Sequence, residues 1–572
     1  MIGRQPFFPK RRRREPPATP SVEIGRSRLL ITGALFSVAF LVVTGRLIGL
    51  TMFVEKNEPQ YARSANKALL KTIRGDIVDR NGILLATTLK TYSLYGNPRI
   101  ILDAHDAVNK LARALPELDR RLTYAKLTQD RNFIWLRRHL TPRQKYEVNK
   151  LGVPGLDFRD EERRVYPSAA LASHVLGYTD IDNRGLAGIE RHLNQRLKKN
   201  HRPLKLSIDI RVQHAVRKEL STALRQFGGI GAAGIVMDVR NGEVLGVVSL
   251  PDFDPNLPTK IDPDRRFNRA TLGVYEMGST LKIFTTAMAL DSGKISMRDG
   301  YDATHPIRVS RFIIRDYHAK RRWLSVPEIF MYSSNIGSVK MLLDVGITEQ
   351  RAFLQKLGLL QPSPVELSEI GTPLIPSPWR AINAMTISFG HGLSISPMQL
   401  VAGVASMING GLYHAPTLLK KGPDLKTKGR RVISAKTSEQ VRRLLRLVVK
   451  NGTGREAAAQ GYLVGGKTGT AEKVVGSRYK KKAVISSFIG VFPMSAPRYI
   501  IFAMIDEPSD TKETLRRPTG ARVAAPVVGK VITRIGPLLG VPVVDELAPE
   551  TLRQLAIDVV TEKKGKRRLA SF

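Results

Sequence analysis

The longest apolar run of the chain lies near its start. Residues 29–45 carry no charge, and after Arg46 apolar residues resume as far as Val54. A bilayer core needs about 20 apolar residues in a helix, and 29–54 supplies that length once Arg46 snorkels to the far interface. Further on, Val212, Val216, Leu220, Ala223, Leu224 and Phe227 recur at helical spacing behind Asp209, which is suited to cap a helix, and the pattern stops at Gly228-Gly229. Two apolar runs then flank Asn241-Gly242, Ile235-Val236-Met237-Asp238-Val239 and Val244-Leu245-Gly246-Val247-Val248, which is a hairpin signal. More strands are expected at 467–474, 486–492 and 498–505, and between them and the hairpin lies a largely helical block cut by proline-rich loops at 251–263 and 362–378. Two strands, a helical insert and three closing strands predict an α+β domain around one antiparallel sheet over 206–540.

The remaining segments are less patterned. Residues 55–205 mix short strand-like and helix-like pieces, and Arg74-Gly75-Asp76-Ile77-Val78-Asp79-Arg80-Asn81-Gly82 reads as a strand turning at its last pair. Its Arg-Gly-Asp is expected to be a buried polar cluster. Residues 541–572 form a C-terminal tail ending in the basic run Lys563-Lys564-Gly565-Lys566-Arg567-Arg568. Residues 1–28 are expected to be a disordered tail; they carry Arg4, Lys10, Arg11, Arg12, Arg13, Arg14, Arg26 and Arg28 against Glu15 and Glu23. That basic flank should stay in the cytoplasm, leaving everything after residue 54 outside. The expected topology is one uncleaved span in the inner membrane with a periplasmic C-terminal part.

Composition narrows the chemistry. The 572 residues include no cysteine, so disulfides and thiolate catalysis are excluded, and the ten histidines show no metal-ligand spacing. A net charge of +41 invites a nucleic-acid reading. The basic residues run throughout the chain, however, and no nucleic-acid-binding motif accompanies them. No nucleic acid, metal or cofactor is expected.

Three strings carry the candidate chemistry: Ser279-Thr280-Leu281-Lys282, Ser333-Ser334-Asn335 and Lys467-Thr468-Gly469-Thr470. A serine and a lysine three apart on a helix share a face, so the amine can reach and activate the hydroxyl. The second string offers a hydroxyl and an amide, the third a cation and two hydroxyls on a strand that a glycine opens to close approach. Each string alone is cheap. Ser-x-x-Lys recurs at Ser64, Ser477 and Ser509, and Ser64-Ala65-Asn66 mimics the second string. Ser279 differs in following Gly278 and opening an apolar run that ends at Asp291-Ser292-Gly293. Two other patterns fail on context. Gly229-Ile230-Gly231-Ala232-Ala233-Gly234 follows a helix and opens a strand, the reverse of a dinucleotide fingerprint, and is read as a linker. Residues 461–468 fit a phosphate loop but lack the strand before and the helix after.

The order of the three strings resembles the Ser-x-x-Lys, Ser-x-Asn, Lys-Thr-Gly set of penicillin-binding proteins and serine β-lactamases. The resemblance to the class B penicillin-binding proteins runs along nearly the whole chain. Arg74 to Gly82 with Leu85-Ala86 is similar to the family's first N-terminal motif, and Arg164, Tyr166-Pro167, His174-Val175-Leu176-Gly177 and Gly188-Ile189-Glu190 to later ones. Phe389-Gly390-His391-Gly392 and Ser333-Ser334-Asn335-Ile336-Gly337 are most similar to its division-specific, FtsI-type branch. Met277 and Ala521 depart from the common pattern, which has proline and glycine there.

The resemblance implies a β-lactamase-like transpeptidase fold on an elongated N-terminal pedestal, and a peptidoglycan D,D-transpeptidase. It makes Ser279 the nucleophile and Lys282 its base, deprotonated with help from the Lys467 charge. Ser333 and Lys467 relay the proton, and Asn335 holds the substrate amide. Thr468 and Thr470, on either side of Gly469, hold the substrate carboxylate. The backbone N–H groups of Ser279 and Thr470 form the oxyanion hole. Implied partners are stem peptides, including the lipid-linked precursor, β-lactams, divisome proteins and a polytopic glycosyltransferase. Asp209, His391, Trp379 and Arg522 read equally well as packing residues, and Glu276 and Glu190 as partners of surface arginines.

Overall fold

A computed structural model describes residues 21–52, 74–200, 202–309, 312–422, 428–475, 478–509, 518–560 and 567–570. The tail residues 1–20, the Ser64-Ala65-Asn66 mimic, Val54 at the end of the apolar run and Lys563 to Lys566 lie outside these. The chain divides into two compact units, Met1–Lys71 and Thr72–Phe572. In the first, helix α1 (Ser21–Met52) begins ahead of the expected Leu29, so the helix takes in the last basic residues of the tail. Its side chains are described for 30–46, where Leu30, Ile31, Leu35, Phe36, Phe40 and Leu41 are all exposed. Among the described residues no helix is long and apolar enough to cross a membrane.

The second unit opens with a sheet of five strands, β1 (Ile77–Val78), β2 (Leu84–Gly96), β3 (Ile134–Leu140), β4 (Leu156–Val165) and β5 (Leu204–Lys205), in which β2 pairs antiparallel with β1, β3 and β4. The turn into β2 falls at Asn81-Gly82. Gly82 has φ +93°, and Asp79 Oδ1 accepts from the Asn81 and Ile83 amides at 2.7 and 2.9 Å. Arg74 is buried, as expected of the Arg-Gly-Asp segment, and Glu190 is its partner. Glu190 is fully buried, pairs with Arg74 and with Arg164 (Nε to Oε1, 2.7 Å), and receives the Tyr166 hydroxyl at 3.4 Å. The expectation of surface arginines around Glu190 is therefore corrected: its two arginines are as buried as it is.

Asp209 caps helix α2 (Ile210–Phe227) by accepting from the Arg211 amide, and Gly228 ends it in the left-handed region. Strands β6 (Gly231–Asp238) and β7 (Val244–Leu250) follow as the expected hairpin. Of the run Gly229 to Gly234, expected to be a linker, Gly231 to Gly234 belong to β6 and only Gly229-Ile230 precede it. A Cβ on Gly234 would lie 2.6 Å from side-chain carbons of Val216 and Leu220, so glycine there lets α2 lie directly on the strand. The helical block supplies α3 (Lys282–Asp291), α4 (Val326–Tyr332), α5 (Asn335–Val345), α6 (Pro397–Ile408) and α7 (Ala435–Asn451). It also contains short hairpins that periodicity did not signal, among them Ile307–Val309 with Phe312–Ile314. Strands β8 (Gly465–Val475), β9 (Arg478–Phe492) and β10 (Tyr499–Asp506) then join the first hairpin in one antiparallel sheet, ordered β8-β9-β10-β6-β7. Helix α8 (Gly520–Leu538) follows, and the expected C-terminal tail then supplies a short helix (Pro549–Gln554) and a hairpin of Ile557–Val560 with Arg567–Ala570, with Leu555 and Ile557 packed into the core.

Alternation along the strands builds a core on each face of this sheet. On β10, Ile501, Ala503 and Ile505 pack with α2 and α8 through Val216, Leu220, Val528 and Ile532. Ile500, Phe502 and Met504 point the other way, into a core with Met398, Val401, Leu444 and Val448 of α6 and α7. Each of the larger side chains here, fully buried, stabilises the fold by about 1.5–3 kcal/mol. The second core also takes in Ile77, Leu85, Val175 and Ile189 from the N-terminal part. Residues 461–468 run straight into β8, with no helix after them, which removes the phosphate-loop reading.

Candidate active site

The three strings meet where the start of α3, the loop before α5 and strand β8 come together. Ser279 lies in a single 3-10 turn, Gly278–Leu281, that leads into α3. In that geometry residues three apart eclipse, and Lys282 Nζ stands 3.1 Å from Ser279 Oγ. Gly278 allows the turn to sit tight against β8. Its φ is +52°, and a Cβ there would come within 2.5 Å of the Thr470 carbonyl oxygen. Gly469 does the same from the other side, since a Cβ on it would meet the Met277 carbonyl oxygen at 2.8 Å. The close approach that this glycine permits is thus to the protein's own serine turn. On the third side the Gly278 amide donates to the Gly390 carbonyl at 3.1 Å.

Ser333 ends α4 with φ +61°, a left-handed conformation rare for a residue other than glycine. That twist aims both its carbonyl and its hydroxyl at Lys282, at 2.6 and 3.0 Å. Asn335 Oδ1 lies 2.7 Å from the same amine. Lys467 Nζ approaches Ser333 Oγ from the strand side, at 2.9 Å. The chain of contacts therefore runs Ser279, Lys282, Ser333, Lys467. Thr468 and Thr470 are placed differently from the lysine. The Thr468 hydroxyl shares a 2.9 Å hydrogen bond with the Thr453 hydroxyl, and Thr470 Oγ1 accepts from the Gly520 amide, the first residue of α8, at 3.0 Å. The Thr470 hydroxyl proton stays available to a ligand.

Both lysines are buried, and burial is the main cause that lowers each pKa. Lys282 is held well below an ordinary lysine by desolvation and then by the Lys467 charge, while Asp316 pulls weakly the other way. Desolvation brings Lys467 down to about 7. The charge of Lys467 is thus the second cause for Lys282, after loss of water. An ammonium has three N–H groups for the four oxygens around Lys282. A neutral amine donates twice, to the Asn335 and Ser333 carbonyl oxygens, and keeps a lone pair for a hydroxyl proton.

Asp316 escaped the reading of the sequence. It follows the short hairpin at 307–314 and caps α5: its carboxylate accepts from Ser334 Oγ at 2.7 Å and from the Asn335 and Ile336 amides at 2.6 and 3.0 Å. Asn335 Nδ2 donates to the neighbouring Arg315 carbonyl at 2.8 Å. Glu276 and His391 meet beside the serine turn. Glu276 accepts from the Gly392 amide at 2.7 Å and faces His391 Nδ1 at 3.1 Å, so it ties the strand before the serine turn to the Phe389–Gly392 loop.

The model of the penicillin binding protein transpeptidase domain matches residues 232–533, and that of the penicillin-binding protein dimerisation domain matches residues 70–203. The chain belongs to the class B penicillin-binding proteins, which join these two domains. Among its relatives, the probable peptidoglycan D,D-transpeptidase FtsI of Caulobacter vibrioides is 41% identical over 482 residues, 82% of each chain. The peptidoglycan D,D-transpeptidase FtsI of Escherichia coli is 29% identical, over 89% of this chain and 90% of its own. Stage V sporulation protein D of Bacillus subtilis is 31% identical, over 90% and 86%. A crystal structure of a peptidoglycan synthetase from Bifidobacterium adolescentis shares the fold with TM-score 0.66 at 22% identity, covering 83% of this chain and 97% of that one.

Proposed function

We propose that this protein is a peptidoglycan D,D-transpeptidase that cross-links stem peptides through an acyl-enzyme on Ser279. The observation that carries this reading is the burial of Lys282 within reach of Ser279, Ser333 and Asn335. Ser279 Oγ attacks the carbonyl of the D-Ala–D-Ala bond while its proton passes to the neutral Lys282 amine. The backbone N–H groups of Ser279 and Thr470 stabilise the oxyanion, each such donor contributing about 2.7–4 kcal/mol. Ser333, between the two lysines, relays the proton to the departing D-alanine nitrogen as the C–N bond breaks and the ester remains. An amine of a second stem peptide then attacks the ester and frees Ser279 Oγ, which recovers a proton. Asn335 holds the donor peptide, and Thr468 and Thr470, with Gly469 between them, cradle its carboxylate beside Lys467. β-Lactams acylate Ser279 by the same route.

The names of the relatives favour septal synthesis. The exposed apolar surface of α1, behind a basic N-terminal flank, favours a single inner-membrane span with 55–205 as pedestal, 206–540 as the periplasmic catalytic domain and 541–572 as its tail. A polytopic glycosyltransferase and divisome proteins are the expected partners, and the lipid-linked precursor the expected source of donor strands. Labelling membranes with a fluorescent penicillin tests the catalytic reading. Wild type should label and Ser279→Ala should not; equal labelling of the two overturns the assignment. Depletion tests the cellular role, with filamentous cells expected and rounded cells pointing to elongation instead.

A further inference from the structure

At the end of the main sheet where the β6–β7 and β9–β10 turns lie, a cavity of about 690 Å³ opens between the end of α6, helix α7, the 493–498 turn and the segment after α8. None of the catalytic strings lines it. Its walls hold three guanidinium groups, those of Arg240, Arg442 and Arg498. Facing them is one carboxylate, Asp238, already engaged bidentately by Arg240 at 2.7 and 3.0 Å and standing 3.8 Å from Arg498 Nε.

The Nε atoms of Arg442 and Arg498 are both buried without a hydrogen-bond partner. Glu439, the acid nearest Arg442 on its own helix, is taken by Arg443 at 2.5 Å. The rest of the lining is largely apolar, with Ile408, Leu412, Val541 and Val544, and its polar members are Asn409, His414 and Ser495.

A cavity of that volume suits a small molecule. Three guanidiniums against one carboxylate leave an excess of two positive charges, which matches the charge of a phosphate monoester. Guanidinium forks bind phosphate oxygens in pairs, and buried N–H groups without partners are costly until an acceptor arrives. We propose that this cavity is a second, non-catalytic binding site that takes an organic phosphate, the phosphate on Arg442 and Arg498 and an apolar body against Ile408, Leu412 and Val541.

The test uses the full chain in a nonionic detergent, with binding followed by calorimetry. Phenyl phosphate represents a soluble ester and dihexanoyl phosphatidic acid a lipid head; phenol and inorganic phosphate are the partial probes. Saturable binding of either ester, tighter than that of both partial probes, is expected, and the tighter of the two esters identifies the source. Arg442→Ala and Arg498→Ala should each weaken it about tenfold or more, while exposed Arg120→Ala leaves it unchanged. Fluorescent-penicillin labelling of Ser279 reports that each variant is folded. No saturable binding of either ester, equal binding of inorganic phosphate or phenol, or equal loss with Arg120→Ala overturns the site.

Discussion

Lys282 Nζ lies 3.1 Å from Ser279 Oγ, and the lysine is buried. The pair works only if the amine can give up its proton. Replacing it with arginine keeps the charge and much of the volume but supplies a group that stays protonated. Lys282→Arg should lower the rate of acylation by penicillin by about 10²–10⁴-fold, the usual contribution of a positioned base. Stopped-flow acylation measures this. A variant that acylates at the wild-type rate would remove Lys282 from the mechanism.

The two buried lysines set the pH dependence of acylation. Lys282 is depressed by burial and by Lys467, so the neutral base accumulates as pH rises through a value well below that of free lysine. Lys467, depressed to about 7, loses its charge as pH rises through that value. Acylation should rise on the acid side, pass a maximum and decline once Lys467 is neutral. The apparent constants belong to the coupled pair. A profile that climbs without a maximum to the range of an ordinary lysine contradicts this.

Asp316 positions the second string without touching a substrate. Asp316→Ala removes three hydrogen bonds, to Ser334 Oγ and to the Asn335 and Ile336 amides. The loss of a helix cap of this kind costs about 0.5–2 kcal/mol. Acylation should slow as Asn335 and Ser333 lose register, and Asp316→Asn, which keeps an acceptor, should recover part of the rate. A variant less stable but equally fast would limit Asp316 to a structural role.

Glu190 balances two buried arginines, Arg74 and Arg164. Removing the shared partner leaves both charges uncompensated, so Glu190→Ala should destabilise by about 3–5 kcal/mol. Thermal unfolding reads the loss. Penicillin labelling per folded molecule should be unchanged, because none of the catalytic groups contacts this cluster.

His174 gives a pH dependence of stability. Burial lowers its pKa from 6.5 to about 4, and its ring stacks edge-on against Phe253 with Nε2 2.9 Å from the Arg265 carbonyl oxygen. The folded state binds the proton more weakly than the unfolded state. The contribution is therefore complete above 6.5 and is lost progressively as pH falls toward about 4. The total is about 3 kcal/mol at most. The melting temperature should fall across that window, and less steeply in His174→Gln.

Local signals in the sequence were read well where one segment decides its own structure. Asp209 and Gly228 bracket α2, and Asn241-Gly242 turns the hairpin, as the side chains alone suggested. Misreadings arose where a distant segment decides. The glycines of 231–234 looked like a linker, yet two side chains of α2 press on that strand and exclude a Cβ at Gly234. Asp316 had no motif to announce it, because its partners lie 18 to 20 positions further along and meet it only through the fold. Glu190 was assigned to surface arginines for the same reason: charge pairing read from composition carries no address. The three catalytic strings were visible as residue types. What periodicity did not supply was the left-handed turn at Ser333 that aims them.

The turn bearing Ser279 rests on backbone along much of its contact surface. Gly278 meets the Thr470 carbonyl, Gly469 meets the Met277 carbonyl, and a Cβ on Gly390 would overlap Gly278 itself. At Gly278 and Gly390 the atoms met are all backbone, and at Gly469 the Met277 carbonyl remains even where the Ser487 and Thr280 side chains could give way, so no neighbouring substitution can make full room for a larger residue. In a saturation library selected for growth, the columns for 278, 390 and 469 should be blank save for the parent residue. Any drift toward drug tolerance would have to enter through the surrounding loops, leaving the turn that bears Ser279 untouched.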